Sequence, residues 1–293
     1  MLFTIAIPTY NNAKTVSKAI ESAINQKYTE EYEILVINNA STDNTKEVLS
    51  KYERNSIVRI ETNGSTVSLY ANHNICLKEA KGDYVLFCHS DDKLTQDALL
   101  ILKSRIEKRL FPSKYILWGH SMFRDYQISV GEHRINTVFS GESSINCFTW
   151  GGLTPSGTCY SRRSILELGG FPEIDAKIPM SDWTILVIAA YNYFEFEMID
   201  RLLFIREYAS TANSLDDNVW HDSIEKTLDN LKKHINERQF NNFLSIIKEK
   251  NKGLFFWYKK YMSETELMQI KRDEKKKNRK NRVKRLIKLL LRW

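Results

Sequence analysis

The amino-acid sequence predicts an α/β fold in which a largely parallel sheet carries helices on both faces. Two hydrophobic periods alternate over the first 110 residues: short apolar runs typical of buried strands, and longer stretches with the i, i+3, i+4, i+7 spacing of helices. Such alternation is typical of parallel sheets, because parallel strands need crossover connections. Polar clusters also follow three of the predicted strands, where open parallel sheets bind ligands.

The first half of the chain supplies four predicted strands and three predicted helices. Apolar residues recur through the first helix with the spacing expected of a helix that packs on a sheet. We expect the first strand to stop at Pro8, since proline donates no hydrogen bond to a strand ladder. The predicted strands cover residues 2–7, 33–37, 58–61 and 84–88, and the predicted helices cover residues 13–26, 45–52 and 67–80.

The second half is less regular. Strands are predicted at residues 115–118, 195–199 and 202–207, separated by loops rich in glycine and proline. From about residue 216 the pattern becomes helical, with apolar residues at i, i+4, i+7 and i+11. These four residues are Ile224, Leu228, Leu231 and Ile235.

The positive charge of the chain is concentrated in its last 23 residues. The whole chain carries +7, but residues 271–293 carry +10 and the other 270 residues carry −3. A body of that charge is poorly suited to tracking nucleic-acid phosphates, so we expect no nucleic-acid partner. Residues 282–293 form a basic amphipathic pattern that ends in Trp293, which predicts contact with an anionic membrane surface. Docking of this tail on the body or on a second subunit is the alternative, and the oligomeric state stays open.

Cysteine spacing and apolar run lengths bear on localisation. Cys76, Cys88, Cys147 and Cys159 are too widely spaced for a C-x-x-C pair, and nothing suggests a disulfide framework. No secretory signal opens the sequence, and its apolar runs are shorter than the roughly 20 residues of a membrane span. We therefore expect a cytoplasmic protein. Its tail would associate it peripherally with the cytosolic face of the membrane.

The most informative polar cluster contains two adjacent carboxylates, Asp91 and Asp92, directly after a buried strand. A divalent cation that bridges a diphosphate is typically held by one or two carboxylates together with substrate oxygens. The same dipeptide at Asp216-Asp217 follows no strand, so it serves as an internal comparison. A solvated acidic turn is the alternative interpretation of Asp91 and Asp92.

Taken together, the polar segments resemble glycosyltransferase family two, which has the GT-A nucleotide-sugar fold. The matching segments lie in order within about residues 1–210: 5–12 (IAIPTYNN), 33–44 (EILVINNASTDN), 80–87 (AKGDYVLF), 90–92 (SDD), 169–172 (GGFP) and 181–183 (SDW). The resemblance implies a Rossmann-like mixed sheet flanked by helices. Its domain would span residues 1–215, with a nucleotide-binding half (1–110) and an acceptor half (111–215), followed by a helical extension (216–270) and the basic tail (271–293).

The resemblance also implies roles for individual residues. Asp182 matches the catalytic base, and Asp92, with Asp91 beside it, matches the ligands of a divalent cation, Mn²⁺ or Mg²⁺. Trp183 matches the aromatic residue beside the base. Apart from the resemblance, Trp150 is a candidate for stacking on an acceptor sugar, with packing in the core as the alternative. The residues expected to contact the nucleotide sugar are Pro8, Tyr10, Asn12, Asn39 and Asp91.

Two departures from the family pattern affect the donor site. Asn38-Asn39 stands where the family usually has two aspartates, so a UDP-sugar is favoured without being fixed. His73 stands where the family has an arginine, which removes a fixed cation. We interpret His73 and His89 mainly as structural residues, with a ligand role left open for His89. Asp182 has a second interpretation, as an N-cap at the start of a helix.

The sequence therefore predicts metal-dependent, inverting transfer of a sugar from a nucleotide-sugar donor to an acceptor hydroxyl, in the synthesis of surface polysaccharide or lipid-linked glycan. One alternative is a non-catalytic protein that binds nucleotide sugars or scaffolds a membrane assembly, which the two departures allow. A sugar nucleotidyltransferase is a further alternative. That class needs a glycine-rich loop after the first strand, and residues 8–13 contain no glycine.

Overall fold

A computed structural model describes residues 2–123, 126–128, 137–147, 154–206 and 217–250. These residues form a ten-stranded mixed sheet with helices on both faces, which confirms the predicted α/β class. Residues 251–293, which include the basic tail, and Trp150 lie outside the described ranges. Within those ranges no helix combines the length and the apolar composition needed to cross a membrane.

The first half of the sheet follows the predicted strand–helix alternation. Strands β3, β2, β1 and β4 lie side by side in that order and are all parallel. Every residue of β1 and β2 is buried, as expected for parallel strands covered on both faces. The elements are β1 (Phe3–Thr9), α1 (Val16–Ile24), β2 (Tyr32–Asn38), α2 (Thr45–Ser50), β3 (Val58–Thr62), α3 (Leu69–Glu79) and β4 (Tyr84–Phe87).

The expectation that β1 stops at Pro8 is wrong. Strand β1 runs through Pro8, which pairs with Ile37 of β2, and it ends at Thr9. The carbonyl of Ala6 accepts from the N–H of Cys88, on the β4 side, and in a parallel strand Pro8 faces the same side as Ala6. Because β4 ends at Phe87, opposite Ala6, the missing N–H of Pro8 removes no ladder bond.

The second half of the sheet is mixed. Strand β9 lies antiparallel between β4 and β6, β10 runs parallel to β6, and β5 closes the edge antiparallel to β10. The elements are β5 (Asp92–Leu94), α4 (Ala98–Lys108), β6 (Tyr115–Phe123), β7 (Tyr126–Ile128), β8 (Val138–Ser140), a 3₁₀ helix (Gly141–Cys147), β9 (Thr158–Ser161), α5 (Arg162–Glu167), α6 (Ser181–Tyr191), β10 (Glu195–Arg206), α7 (Asp217–Leu231) and α8 (Glu237–Lys250).

Two features of this half differ from the sequence prediction. The strands predicted at 195–199 and 202–207 are one strand, β10, whose register against β6 shifts on either side of Leu202. The exposed pair Asp200-Arg201 sits at this bulge, which explains why the apolar pattern breaks there. Strand β9 lies in a region predicted to be loop, because its four residues are too few to reveal a period.

The helices divide the core into two layers, one on each face of the sheet. Helices α1 and α4 cover one face, and α3, α6, α7 and α8 cover the other. Nine of the eleven residues of α6 are buried, so this helix is fixed firmly against the sheet. The predicted apolar stripe of residues 224–235 joins the same layer, so α7 packs onto the α/β body.

Candidate active site

The three polar loops that follow β1, β2 and β4 meet at one edge of the sheet, as predicted. Asn12 Nδ2 donates to Ser90 Oγ at 2.6 Å and joins the first loop to the third. The backbone N–H of Asn12 donates to Thr45 Oγ1 at 2.9 Å and joins the first loop to the start of α2. Asn12 therefore holds the loops together, in addition to any contact that it makes with a donor.

These loops surround a cleft of about 250 Å³. The cleft contains all five residues that the sequence predicts for the nucleotide sugar. A larger depression, of about 870 Å³, lies at the opposite ends of the same strands beside Tyr84 and Pro112, away from the polar loops. The lining of the smaller cleft is Pro8, Thr9, Tyr10, Asn12, Asn39, Leu69, Asn72, His73, His89, Ser90 and Asp91.

Hydrogen bonds fix the orientation of the Asn39 amide. Its Nδ2 donates to the carbonyl of Val67 and its Oδ1 accepts from the N–H of Val67, both at 2.9 Å. Oδ1 also accepts from Asn63 Nδ2 at 2.9 Å. If the amide were flipped, its NH₂ group would face the N–H of Val67 and its oxygen would face the carbonyl oxygen of Val67. The positions of Oδ1 and Nδ2 are therefore unambiguous. The carbonyl oxygen has two donors, and the amide nitrogen keeps a second N–H for a ligand.

A tight turn after β4 brings together the candidate metal ligands. The N–H of Asp92 donates to the carbonyl of His89 at 2.9 Å, closing the turn 89–92. Ligand atoms of His89, Asp91 and Asp92 all lie within 4.8 Å of one another. Asp91 is partly exposed in the cleft, whereas Asp92 is only 4% exposed and begins β5. Two carboxylates and an imidazole are suitable ligands for Mn²⁺, and the carboxylates also suit Mg²⁺.

His73, which is buried, pairs with His89, the partly buried first residue of this turn. His73 Nε2 lies 3.1 Å from His89 Nε2, and His73 Nδ1 lies 2.8 Å from the carbonyl oxygen of Leu69. Burial lowers the pKa of His73 to about 4. Burial, followed by the charges of His73 and Arg206, lowers the pKa of His89 well below its usual value. A neutral pair of imidazoles therefore stands where the family pattern has a cation.

Asp182 lies in the first turn of α6 and is partly buried. Burial raises its pKa to about 6, while hydrogen bonds from the Trp183 N–H and from the side chain of Tyr70 act in the opposite direction. Its Oδ1 accepts from the Trp183 N–H at 2.9 Å. The N-cap interpretation is wrong, because Met180 occupies the N-cap position and Asp182 lies inside the first turn.

Arg206 interacts electrostatically with both Asp182 and His89. It is the last residue of β10 and pairs with Asp92 in the strand register. Burial raises the pKa of Asp182, and the charge of Arg206 partly opposes that rise. Burial lowers the pKa of His89, and the charge of Arg206 adds to that effect. Both side chains therefore lie within electrostatic range of the same guanidinium. Sequence reasoning missed Arg206, because only the antiparallel pairing of β10 with β5 brings it to the site.

The aromatic residue beside the base packs toward the protein interior. The Trp183 ring meets Phe243 of α8 edge-on, with ring centroids 5.1 Å apart, and it borders the core. A contact between Trp183 and an acceptor stays a prediction. Trp150 is not among the described residues.

Comparison with known proteins establishes the family. Residues 4–163 match the family described as glycosyl transferase family 2, and the chain belongs to this family. The family and the enzyme class predicted from the sequence are thereby confirmed.

Characterised relatives are similar over part of their length. The poly(ribitol-phosphate) beta-glucosyltransferase of Bacillus spizizenii is 36% identical over 103 residues, which is 34% of this chain and only 16% of that protein. The abequosyltransferase RfbV of Salmonella typhimurium is 33% identical over 112 residues, or 37% of this chain and 34% of that protein.

Solved structures confirm the fold. Staphylococcus aureus TarS 1–349 in complex with UDP-GlcNAc aligns with a TM-score of 0.68 and 17% identity, covering 92% of this chain and 79% of that one. The mannosyltransferase PcManGT from Pyrobaculum calidifontis, in complex with GDP-Man and Mn²⁺, aligns with a TM-score of 0.57 and 14% identity, covering 85% and 75%.

Proposed function

We propose that the chain transfers a sugar, with inversion, from a nucleotide-sugar donor to an acceptor hydroxyl, with a divalent cation as cofactor, in the synthesis of surface polysaccharide or lipid-linked glycan. The observation that carries this proposal is that the partly buried carboxylate of Asp182 and the carboxylate-bearing turn 89–92 both lie within electrostatic range of Arg206. The poly(ribitol-phosphate) glycosyltransferases among the relatives, which act on a polymer, support the class of acceptor.

In this proposal the donor nucleotide occupies the 250 Å³ cleft. Tyr10 is 45% exposed and offers a ring for stacking, and the second N–H of Asn39 donates to a carbonyl oxygen of the base. Uracil offers such oxygens, and TarS is a fold neighbour solved with UDP-GlcNAc, so a UDP-sugar is favoured. Asp91 also lines the cleft, where it would hold a cation beside the diphosphate.

Asp182 acts as the general base. It takes the proton of the acceptor hydroxyl while that oxygen forms a bond to the anomeric carbon and the bond from this carbon to the diphosphate breaks. A base with a pKa of about 6 is largely ionised at pH 7 and still basic enough to accept the proton. Arg206 contributes fixed positive charge near the leaving group. Asp91 and Asp92 would hold a divalent cation, which would further stabilise the negative charge of the departing diphosphate.

A donor screen tests this function. We expect one class of nucleotide sugar, from a panel of UDP-, GDP- and CDP-sugars, to raise the melting temperature in the presence of Mn²⁺ but not of EDTA. Acceptor glycan should then cause release of the nucleoside diphosphate. Binding without any release would favour the non-catalytic alternative, and no binding to any donor would contradict the proposal.

The pH dependence of transfer tests the role of Asp182 and of its partner Tyr70. The base must be ionised, so the rate should fall as the pH falls through about 6. The Tyr70 side chain hydrogen-bonds the carboxylate and lowers its pKa, so Tyr70→Phe should move this midpoint to higher pH. The variant should approach the wild-type rate above pH 8. Tyr52→Phe, which removes a hydrogen bond to Glu21, should leave the midpoint unchanged.

We propose that residues 282–293 bind the protein to anionic membrane. Deletion of residues 271–293 should abolish cosedimentation with anionic vesicles and leave nucleotide binding unchanged. Binding of the full chain should weaken as salt rises, because each cation near the surface contributes about 1 kcal/mol over a Debye length of about 10 Å or less. Equal cosedimentation of both proteins would contradict the proposal. A change in the number of subunits per particle on deletion would indicate that the tail docks on a second subunit.

A further inference from the structure

The turn 89–92 places a nitrogen ligand beside two carboxylates, and a contact from outside the turn determines which nitrogen is available. Of the two ring nitrogens of His89, Nε2 is engaged by His73 Nε2 at 3.1 Å. His89 also has a ligand atom within 4.8 Å of carboxylate oxygens of Asp91 and Asp92. With Nε2 engaged, Nδ1 is the nitrogen left for a cation.

The ring protons of the pair follow from their partners. The carbonyl oxygen of Leu69 can only accept, so His73 Nδ1, 2.8 Å away, carries a proton. A neutral His73 then presents an unprotonated Nε2, which accepts from Nε2–H of His89. A neutral His89 with its proton on Nε2 has a lone pair on Nδ1. The backbone of α3 thus sets the tautomer of His89 through His73.

A separate observation indicates that the cleft is built around a ligand. Thr9 lines the cleft and is 2% exposed, yet its hydroxyl has no hydrogen-bond partner among the described residues. Buried hydroxyl groups are normally paired, so an unpaired one at a cleft is consistent with a partner that arrives with the ligand.

We propose that His89 Nδ1 is a ligand of the cation and that His73 is a positioning residue that fixes the tautomer and orientation of His89. This inference rests on the proposed function, because it assumes a cation at the turn 89–92. It follows that the site prefers Mn²⁺ and similar transition ions over Mg²⁺, which favours an all-oxygen ligand set. Ligating histidines are generally held in this way by a hydrogen bond from their second nitrogen.

Pulsed electron paramagnetic resonance on Mn²⁺ bound to the full chain tests this inference, both for Mn²⁺ alone and for Mn²⁺ with UDP. Wild type should show the ¹⁴N modulation of a directly coordinated imidazole, and His89→Gln should abolish it. The substitution should also lower the ratio of Mn²⁺ to Mg²⁺ affinity, since Gln replaces nitrogen by oxygen. His234→Gln, at an exposed site between α7 and α8, should retain the modulation and the ratio.

His73→Phe tests the positioning role. Phenylalanine keeps the ring among Tyr70, Phe87 and Phe171 but removes both nitrogens. Loss of a ligand's outer hydrogen-bond partner typically costs about 10–100-fold in metal affinity. We therefore expect the Mn²⁺ affinity to fall by about tenfold or more and the ¹⁴N coupling to change, with little change in melting temperature.

The outcomes separate this inference from the function on which it rests. Absence of ¹⁴N modulation in wild type, or its persistence in His89→Gln, overturns the inference. If Asp91→Asn removes Mn²⁺ binding while His89→Gln keeps the wild-type Mn²⁺ to Mg²⁺ ratio, the inference fails and the proposed metal dependence stands. If wild type binds no Mn²⁺, with or without UDP, both fail.

Discussion

Replacement of Asp182 by asparagine is expected to lower the rate of sugar transfer by about 10²–10⁴-fold, the usual contribution of a general base. The amide cannot accept the acceptor's proton, but its oxygen can still accept from the Trp183 N–H. Donor and metal affinity should stay near wild type, since the proposed donor contacts lie on other loops. Measurement of melting temperature, donor affinity and rate on one preparation separates these effects.

Stability should not fall with this substitution at neutral pH. Burial raises the pKa of Asp182 to about 6, so its favourable contribution to folding is complete below the unfolded-state pKa and is lost as the pH rises through about 6. Above that pH, a neutral amide avoids the buried charge, and the variant should melt at or above the wild-type temperature. Asp175→Asn, at an exposed position before α6, serves as the control.

A rate for Asp182→Asn within a few-fold of wild type would mean that Asp182 is not the base. The base would then have to be another carboxylate.

Replacement of Asp91 or Asp92 by asparagine is expected to abolish the Mn²⁺-dependent tightening of nucleotide binding and, with it, most of the transfer rate. Asp92 matches the family's main metal ligand, yet only Asp91 lines the cleft, while Asp92 lies behind it at 4% exposure. We therefore expect each substitution to remove the metal effect. Calorimetry with UDP, in Mn²⁺ and in EDTA, measures the tightening directly.

The matched control lies immediately before β4, at the end of the strand away from the turn. Asp83→Asn changes an exposed carboxylate at the opposite end of β4 and should leave the metal effect intact. Wild-type behaviour of both Asp91→Asn and Asp92→Asn would contradict the assignment of the metal to this turn.

Sequence periodicity predicts the parallel half of the fold well, because each strand there is followed by a crossover helix with its own apolar stripe. It predicts the antiparallel half less well. Strand β9 has four residues, and its place between β4 and β6 depends on Gly157, where a side chain would collide with Phe204. Helix α4 was not predicted, although Ala98, Leu99, Leu102 and Ile106 are buried on one face and this stripe is visible in the sequence.

The candidate site is predictable where its residues follow strands directly. Sequence reasoning named five residues of the cleft and the carboxylate pair of the turn, because the ends of parallel strands meet at one edge. It missed the pairing of His73 with His89, because the two residues lie on a helix and a loop with no shared period. It also missed Arg206, which reaches the site only through the long-range pairing of β10 with β5.

Release of nucleoside diphosphate from the preferred nucleotide sugar, measured with and without acceptor glycan, tests the central claim most directly. Wild type is predicted to release diphosphate in an acceptor-dependent manner with Mn²⁺, and Asp182→Asn is predicted to bind the same donor and release almost none. Acceptor-dependent release at the same rate from both proteins would contradict the role of Asp182. The absence of release from wild type with a donor that binds would contradict the claim that the chain is a transferase.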